Sequence, residues 1–182
     1  MPKLQHELQL FEMSGFWILE FEHWFSSIFV SMKILMVCLG NICRSPLAEG
    51  ILQHKTNKAG LKWIIESAGT NGYHIGEPPH PLSQKVAKEN GIDISKQRSR
   101  LFKKEDFDEF DKIYAMSADV LKDIQRISKE KFNSNKVSLL LYDKDVPDPW
   151  SGPEEGYHEA YELINDACSL IVENATLNKT TT

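Results

Sequence analysis

A short loop between an apolar run and a helix start constrains this chain more than any other feature. The apolar run covers residues 34–37, the loop runs from Cys38 to Arg44, and Pro46 suits the first position of a following helix. A buried strand followed by a tight loop and a helix N-terminus is an arrangement that forms a phosphate-binding site. The loop N–H groups converge there, and the helix dipole adds about half a positive charge. The sequence therefore predicts a phosphate-binding loop at this point.

The two ends of this loop carry side chains suited to phosphoryl chemistry. Arg44 offers a planar fork of donors that matches two phosphate oxygens, and it stays charged at any working pH. Cys38 is expected to face the same loop N–H groups and the same guanidinium, and this positive environment favours the thiolate form of a cysteine. A bare Cys-x5-Arg pattern occurs by chance, but the ten-residue string VCLGNICRSP between a strand and a helix is specific. We predict a thiolate nucleophile aimed at a bound phosphorus.

This string resembles the active-site loop of the low-molecular-weight protein tyrosine phosphatases, and the resemblance covers about residues 32–174. It implies that Asn41 holds the unusual backbone shape of the loop and that the Ser45 hydroxyl stabilises the thiolate as a leaving group. Ser67 resembles a residue that supports the loop from behind, although a strand-end turn explains it equally well. The implied phosphate-binding and loop-support set is Leu39, Gly40, Asn41, Ile42, Cys43, Ser45 and Ser67.

Asp148 is the candidate general acid. A phosphate ester that is attacked by Cys38 loses an alkoxide or phenoxide, which needs a proton, and the same group can later activate water. Pro147 and Pro149 hold the Asp148 backbone, although an Asp-Pro pair by itself more often marks only a turn. In the family that the loop resembles, an Asp-Pro-aromatic loop near the C-terminus supplies the acid, and the segment 146–152 matches it.

Two aromatic residues are predicted to form the walls of the substrate cleft. Tyr73 and Trp150 resemble the family's entrance aromatics, which favour a flat phenyl phosphate; local packing is the alternative for both. Ile42 also bears on specificity. Protein arginine phosphatases of the same family have Thr at this position, whereas Ile at this position is associated with activity on phosphotyrosine.

Three cysteines, two of them in one loop, do not form a disulfide framework and suggest a reducing, cytoplasmic compartment. Cys43 is a candidate redox partner that could form a reversible disulfide with Cys38, or it is an inert small residue. Cys168 lies on the apolar face of the last predicted helix and is assigned to the core. The histidines lack ligand spacing, so we predict no metal, and nothing in the sequence calls for a cofactor.

Length and patterning predict a single α/β domain. The 182 residues suit one domain, and the net charge of −5 without a basic stripe argues against nucleic acid as a partner. Short strands predicted at 34–37, 63–65, 113–116 and 137–141 alternate with helices, which indicates one doubly wound domain with helices on both faces of a parallel sheet. The resemblance implies a four-stranded sheet with the first strand central.

The two ends of the chain differ from this domain. Residues 1–31 have no family counterpart, and carboxylates interrupt their apolar residues, so we predict an N-terminal extension outside the fold, with a mis-assigned start preferred over a functional anchor. No membrane association is expected unless this segment is a real anchor. The domain is expected over 32–174, followed by a polar tail over 175–182.

The sequence therefore predicts a cysteine-dependent, metal-independent phosphatase that acts on phosphotyrosine in proteins or on aryl phosphates, as a monomer or weak dimer. Alternatives on the same loop are a protein arginine phosphatase, an arsenate reductase or a non-catalytic phosphate-binding module. No Cys lies between Ile92 and Asp119, where an arsenate reductase would need its relay cysteines. Asn90 is assigned the position of a His that family members often place behind the loop.

Overall fold

A computed structural model describes residues 31–179 of the chain, with side chains to residue 177. The sequence-based prediction for the N-terminal extension falls on residues outside this range, apart from Ser31. The strands are β1 (Lys33–Cys38), β2 (Ile64–Gly69), β3 (Lys112–Ala115) and β4 (Val137–Leu139). The helices are α1 (Arg44–Lys58), α2 (Pro81–Glu89), α3 (Asp106–Glu109), α4 (Ala118–Ser128) and α5 (Glu154–Lys179), with a 3-10 turn at Lys129–Lys131.

The four strands form one parallel sheet in the order β2-β1-β3-β4. The chain therefore moves from β1 to one edge and then returns to the other side of β1. The strand order reverses at β1, and in an open α/β sheet a ligand binds at the carboxyl ends of the strands at such a reversal. The predicted fold class is confirmed, and the phosphate loop leaves β1 at this position.

Alternate residues of β1 face two separate hydrophobic layers. Ile34 and Met36 pack with residues of α1, α2 and α5, whereas Leu35 and Val37 pack with residues of α3, α4 and the neighbouring strands. All four side chains are 1% exposed or less. A strand covered on both faces must be apolar throughout, which explains why this run carries no polar alternation.

Several element bounds differ from the sequence-based predictions. Helix α1 begins at Arg44 rather than at Pro46, because proline is tolerated throughout a first turn whose N–H groups have no intrahelical partner. Trp63 precedes β2, and Ile64 is 44% exposed, so only Ile65 of the predicted buried run 63–65 is in the core. Helix α5 continues to Lys179, beyond the predicted start of the polar tail at residue 175.

Candidate active site

The Cys38 sulfur lies at the carboxyl end of β1 with hydrogen-bond donors around it. The Asn41 backbone N–H donates to Sγ at 3.2 Å, and the Ser45 hydroxyl lies 3.0 Å from it. Cys38 is only 3% exposed, but its side chain lines a cleft that opens to the surface. Helix α1 begins next to this sulfur without a side-chain cap, so its N-terminal dipole is directed toward the loop. The hydrogen-bond donors and the helix N-terminus therefore converge on the sulfur.

Asn41 determines the shape of the phosphate loop. Its φ of 55° lies in the left-handed region, which Asn tolerates better than most residues. Its Nδ2 donates to the Ser45 hydroxyl at 2.9 Å and to the Ser67 hydroxyl at 2.8 Å, while its Oδ1 accepts from the Arg100 backbone N–H at 2.9 Å. The side chain is 2% exposed. With these contacts satisfied, Asn41 connects the loop to β2 and to the segment before α3.

Gly69 allows the loop to lie directly against β2. A Cβ on Gly69 would come within 2.8 Å of the Leu39 carbonyl oxygen and 3.0 Å of the Gly40 carbonyl carbon. Real side chains do not approach a backbone so closely, which means that glycine is required for this contact.

The Arg44 guanidinium lies inside the cleft. Nη2 donates to Oδ2 of Asp148 at 2.6 Å, Nη1 donates to the Val146 carbonyl at 3.2 Å, and the residue is 6% exposed. Asp148 is itself partly exposed, and its Oδ1 accepts from the Trp150 backbone N–H at 3.3 Å. The loop at 146–150 therefore brings a carboxylate to the rim of the phosphate loop, where it can reach an atom bound between Cys38 and Arg44.

The walls of the cleft are largely aromatic. Trp150 is half exposed and packs against His74, at 5.2 Å between ring centroids, and His80, at 5.5 Å, whereas Tyr73 is 85% exposed. His74 also pairs with Glu77 at 2.7 Å. The cleft, of about 250 Å³, is lined by Cys38, Leu39, Gly40, Ile42, Cys43, Arg44, Asn71, Tyr73, His74, Asp148 and Trp150.

Cys43 is buried to about the same extent as Cys38, at 4% exposed. Its Sγ is 3.8 Å from the Tyr157 hydroxyl, and burial raises the pKa of the Cys43 thiol to about 12. Burial also raises the pKa of Tyr157 and of Cys168, the latter to about 12. All three cysteines are free thiols. Cys43 is therefore protonated at neutral pH and does not compete with Cys38 as a nucleophile.

The structure brings most of the sequence-predicted site residues around one cleft. Ser45 and Ser67 lie behind it, in contact with Asn41, rather than in its lining. Asn90 lies elsewhere: it ends α2, its Nδ2 donates to the Val86 carbonyl at 2.9 Å, and it makes no described contact with the phosphate loop.

Sequence reasoning did not single out several residues that surround this site. Asn71 and His74 line the cleft, and Glu49 and Arg100 contact the residues behind the loop. For Asn71 and His74, the only local signal in the sequence was the turn that the Asn71-Gly72 pair predicts. Nothing in the spacing of Glu49 distinguishes it from a carboxylate on the outer face of a helix.

Two further findings concern residues 31–179. Within this range no group of three or more His, Cys, Asp or Glu side chains is arranged to hold a metal ion. In the same part of the chain, no helix combines the length and the apolar content needed to cross a bilayer.

A cysteine, an arginine and a carboxylate around a phosphate loop on a doubly wound sheet define a class of phosphoryl-transfer enzymes, and the comparisons with known proteins identify the family. The sequence profile of the low molecular weight phosphotyrosine protein phosphatases matches residues 33–182. The low molecular weight protein-tyrosine-phosphatase YfkJ of Bacillus subtilis is 36% identical over 155 residues, which cover 81% of this chain and 98% of that protein.

Solved structures agree with this assignment. A protein tyrosine phosphatase from Entamoeba histolytica, crystallised with Hepes in the active site, matches with a TM-score of 0.75 at 34% identity, covering 82% of this chain and 99% of that one. A drosophila arginine phosphatase matches with a TM-score of 0.72 at 30% identity, covering 79% and 98%. The chain belongs to the low molecular weight phosphotyrosine protein phosphatase family and is a hydrolase of that family.

Proposed function

We propose that this protein hydrolyses phosphotyrosine through a phosphocysteine on Cys38, with Asp148 as general acid and then general base. The observation that carries the proposal is the common position of three groups. The Cys38 sulfur, the Arg44 guanidinium and the Asp148 carboxyl all line one cleft. A non-catalytic phosphate binder would have no use for a thiolate and an acid together.

In the first step the Cys38 thiolate attacks phosphorus. An S–P bond forms, the P–O bond to the tyrosine ring breaks, and protonated Asp148 gives its proton to the leaving phenolate oxygen. Arg44 and the N–H groups of the loop balance the charge on the equatorial phosphoryl oxygens. The Ser45 hydroxyl, 3.0 Å from the sulfur, stabilises the thiolate when it later leaves.

In the second step water attacks the phosphocysteine. The Asp148 carboxylate accepts a proton from the water, an O–P bond forms, and the S–P bond breaks to release inorganic phosphate and the Cys38 thiolate. The Arg44–Asp148 contact supports a simple order of events. Phosphoryl oxygens that bind Arg44 compete with Asp148 for the same donor, so substrate binding frees the carboxyl group for proton transfer.

The cleft walls favour an aryl phosphate. Trp150 and Tyr73 offer ring faces to a phenyl group, and the Ile42 side chain is apolar and 5% exposed. Ile42 offers no hydrogen bond to a guanidinium leaving group, which favours phosphotyrosine over phosphoarginine. We infer that the substrates are phosphotyrosine-containing proteins and aryl phosphates, and that the enzyme works in the cytoplasm, where Cys38 stays reduced.

The test compares phosphotyrosine, phosphoserine and phosphoarginine in one peptide sequence, with Cys38→Ser as the blank. We expect hydrolysis of the phosphotyrosine peptide at least tenfold faster than the others and none by the blank. Faster release from phosphoarginine would move the assignment to arginine phosphatase, the activity named for the drosophila protein. Activity retained in the blank would remove Cys38 from the mechanism.

A further inference from the structure

Glu49 is a carboxyl group behind the phosphate loop that the reaction steps above do not use. It lies on α1, where its Oε2 accepts a hydrogen bond from the Ser67 hydroxyl at 2.6 Å. Ser67 is 7% exposed and belongs to β2, the strand that pairs with β1. Glu49 therefore touches the nucleophile loop only through other side chains.

A continuous chain of hydrogen bonds leads from Glu49 to the Cys38 sulfur. Ser67 accepts from Asn41 Nδ2 at 2.8 Å, the same Nδ2 donates to Ser45 at 2.9 Å, and Ser45 lies 3.0 Å from the sulfur. Each hydroxyl has one proton and the amide nitrogen has two. When Glu49 is charged it accepts a hydrogen bond from the Ser67 hydroxyl, and the Ser67 and Ser45 oxygens each accept one from the Asn41 amide. The Ser45 hydroxyl then has two acceptors, the Cys38 sulfur at 3.0 Å and the more distant Ala68 carbonyl at 3.5 Å, and the sulfur is the nearer of the two.

The charged and titratable groups around Glu49 come from two neighbouring elements. Glu66 on β2 adds a like charge, and Arg100, in the segment between α2 and α3, adds an opposite one. The Arg100 guanidinium is already engaged by Glu66 at 3.2 Å and by Asp106 at 3.1 Å. Burial therefore dominates and raises the pKa of Glu49 to about 7.

Gln97 is a further polar neighbour of Glu49. Its Oε1 is buried without a hydrogen-bond partner in the described structure. A buried acceptor without a donor is costly. A protonated Glu49 carboxyl is a donor in this neighbourhood, whereas the carboxylate offers only acceptors.

We propose that Glu49 is a positioning residue for the nucleophile: its carboxylate fixes the hydrogen bonds of Ser67 and Asn41 so that the Ser45 hydroxyl donates to Cys38, and this arrangement is lost when Glu49 is protonated. The inference rests on the proposed function for its effect on turnover. Glu49 contacts neither substrate nor sulfur, so it acts on the rate of the chemical steps rather than on substrate binding.

The first experiment measures kcat and KM of the wild type and of Glu49→Gln with p-nitrophenyl phosphate from pH 5.5 to pH 8. The Gln side chain keeps an acceptor for Ser67 but has no charge at any pH. We expect kcat of the variant to be about tenfold below the wild type at pH 8, equal to it at pH 5.5, and KM to change less than twofold. Glu109→Gln, at an exposed carboxylate of α3 outside this chain of hydrogen bonds, is the matched control and should keep the wild-type ratio of kcat at pH 8 to kcat at pH 5.5.

The second experiment does not need turnover. Alkylation of Cys38 by iodoacetamide, followed by mass spectrometry, should show a step near pH 7 in the wild type that is absent in Glu49→Gln. A wild type that alkylates with this step but does not cleave phosphotyrosine would overturn the proposed function and leave this inference standing.

Ser67→Ala provides an independent check on the path of the effect. Because it interrupts the same chain, combining it with Glu49→Gln should cost no more than the larger single change. Losses that multiply, or a step near pH 7 that persists without Glu49, would overturn the proposal. Ser67→Ala also tests the path if Glu49→Gln does not fold.

Discussion

Oδ2 of Asp148 lies 2.6 Å from Nη2 of Arg44, across 104 positions of sequence. The proposed acid and the proposed phosphate-binding group are thus hydrogen-bonded to each other. A phosphoryl group bound by Arg44 would take over this donor, and the carboxyl would then be free to reach the leaving oxygen.

Replacing Asp148 with Asn should slow hydrolysis most for substrates with poor leaving groups. The amide keeps the size of the side chain but cannot give up a proton, and a phenolate of high basicity needs that proton more than p-nitrophenolate does. We expect kcat to fall at least a hundredfold with phenyl phosphate and about tenfold or less with p-nitrophenyl phosphate. Asp143→Asn, an exposed carboxylate earlier in the same connection, is the control. An equal loss on both substrates would remove Asp148 from the acid role.

Replacing Arg44 with Lys should weaken phosphate binding. Lysine keeps the charge but loses the planar fork, and here it also loses the paired contacts to Asp148 and the Val146 carbonyl. The inhibition constant for inorganic phosphate should rise roughly ten- to hundredfold, measured by competition at constant pH. An unchanged constant would show that a single point charge is sufficient and that the fork geometry has no role.

Cys43 should protect Cys38 from irreversible oxidation. Peroxide oxidises the Cys38 thiolate to a sulfenic acid, and attack by Cys43 then forms a disulfide and releases water. Because burial raises the pKa of Cys43 to about 12, we expect this attack to be slow compared with an exposed thiol.

The measurement is recovery of activity with dithiothreitol after brief peroxide treatment. The wild type should recover and Cys43→Ser should not. Cys168→Ser, which changes another buried thiol further along α5 than Tyr157, should behave as the wild type. Irreversible loss in the wild type would contradict the switch.

Glu49 should make the protein less stable as pH rises. Burial raises its pKa to about 7 in the folded chain, against an ordinary value of 4.5 for a glutamate, so the folded state holds the proton more tightly than the unfolded chain. The stabilisation is therefore complete below about pH 4.5 and is lost as the pH rises through about 7. At about 1.4 kcal/mol per pKa unit, the difference amounts to about 3 kcal/mol at most.

Urea unfolding of the wild type and Glu49→Gln between pH 4.5 and pH 8 checks this sign. The free energy of unfolding of the wild type should decrease relative to the variant over that interval. A constant difference across the interval would mean that Glu49 titrates normally in the folded protein.

Local patterns were sufficient for the centre of the fold. The apolar run of β1 and the breaker residues after it predicted the strand, the loop and the helix, because all three depend on neighbours in sequence. The start of α1 was placed two positions late, since proline is compatible with the whole first turn and does not mark its first residue. Trp63 and Ile64 were predicted to be buried because hydrophobic periodicity does not indicate which strand lies at the edge of a sheet. In the structure β2 is an edge strand, and Ile64 is exposed.

The sequence by itself determined the phosphate loop, its thiol and guanidinium, and the parallel sheet that presents them, because a ten-residue motif and short apolar runs carry that information locally. Tertiary structure alone decided the rest. It brought Asp148 onto Arg44, and it placed Glu49 behind Asn41 where burial changes its acidity. Such contacts join residues far apart in sequence, and the burial that gives a carboxyl its acidity exists only after the chain has folded.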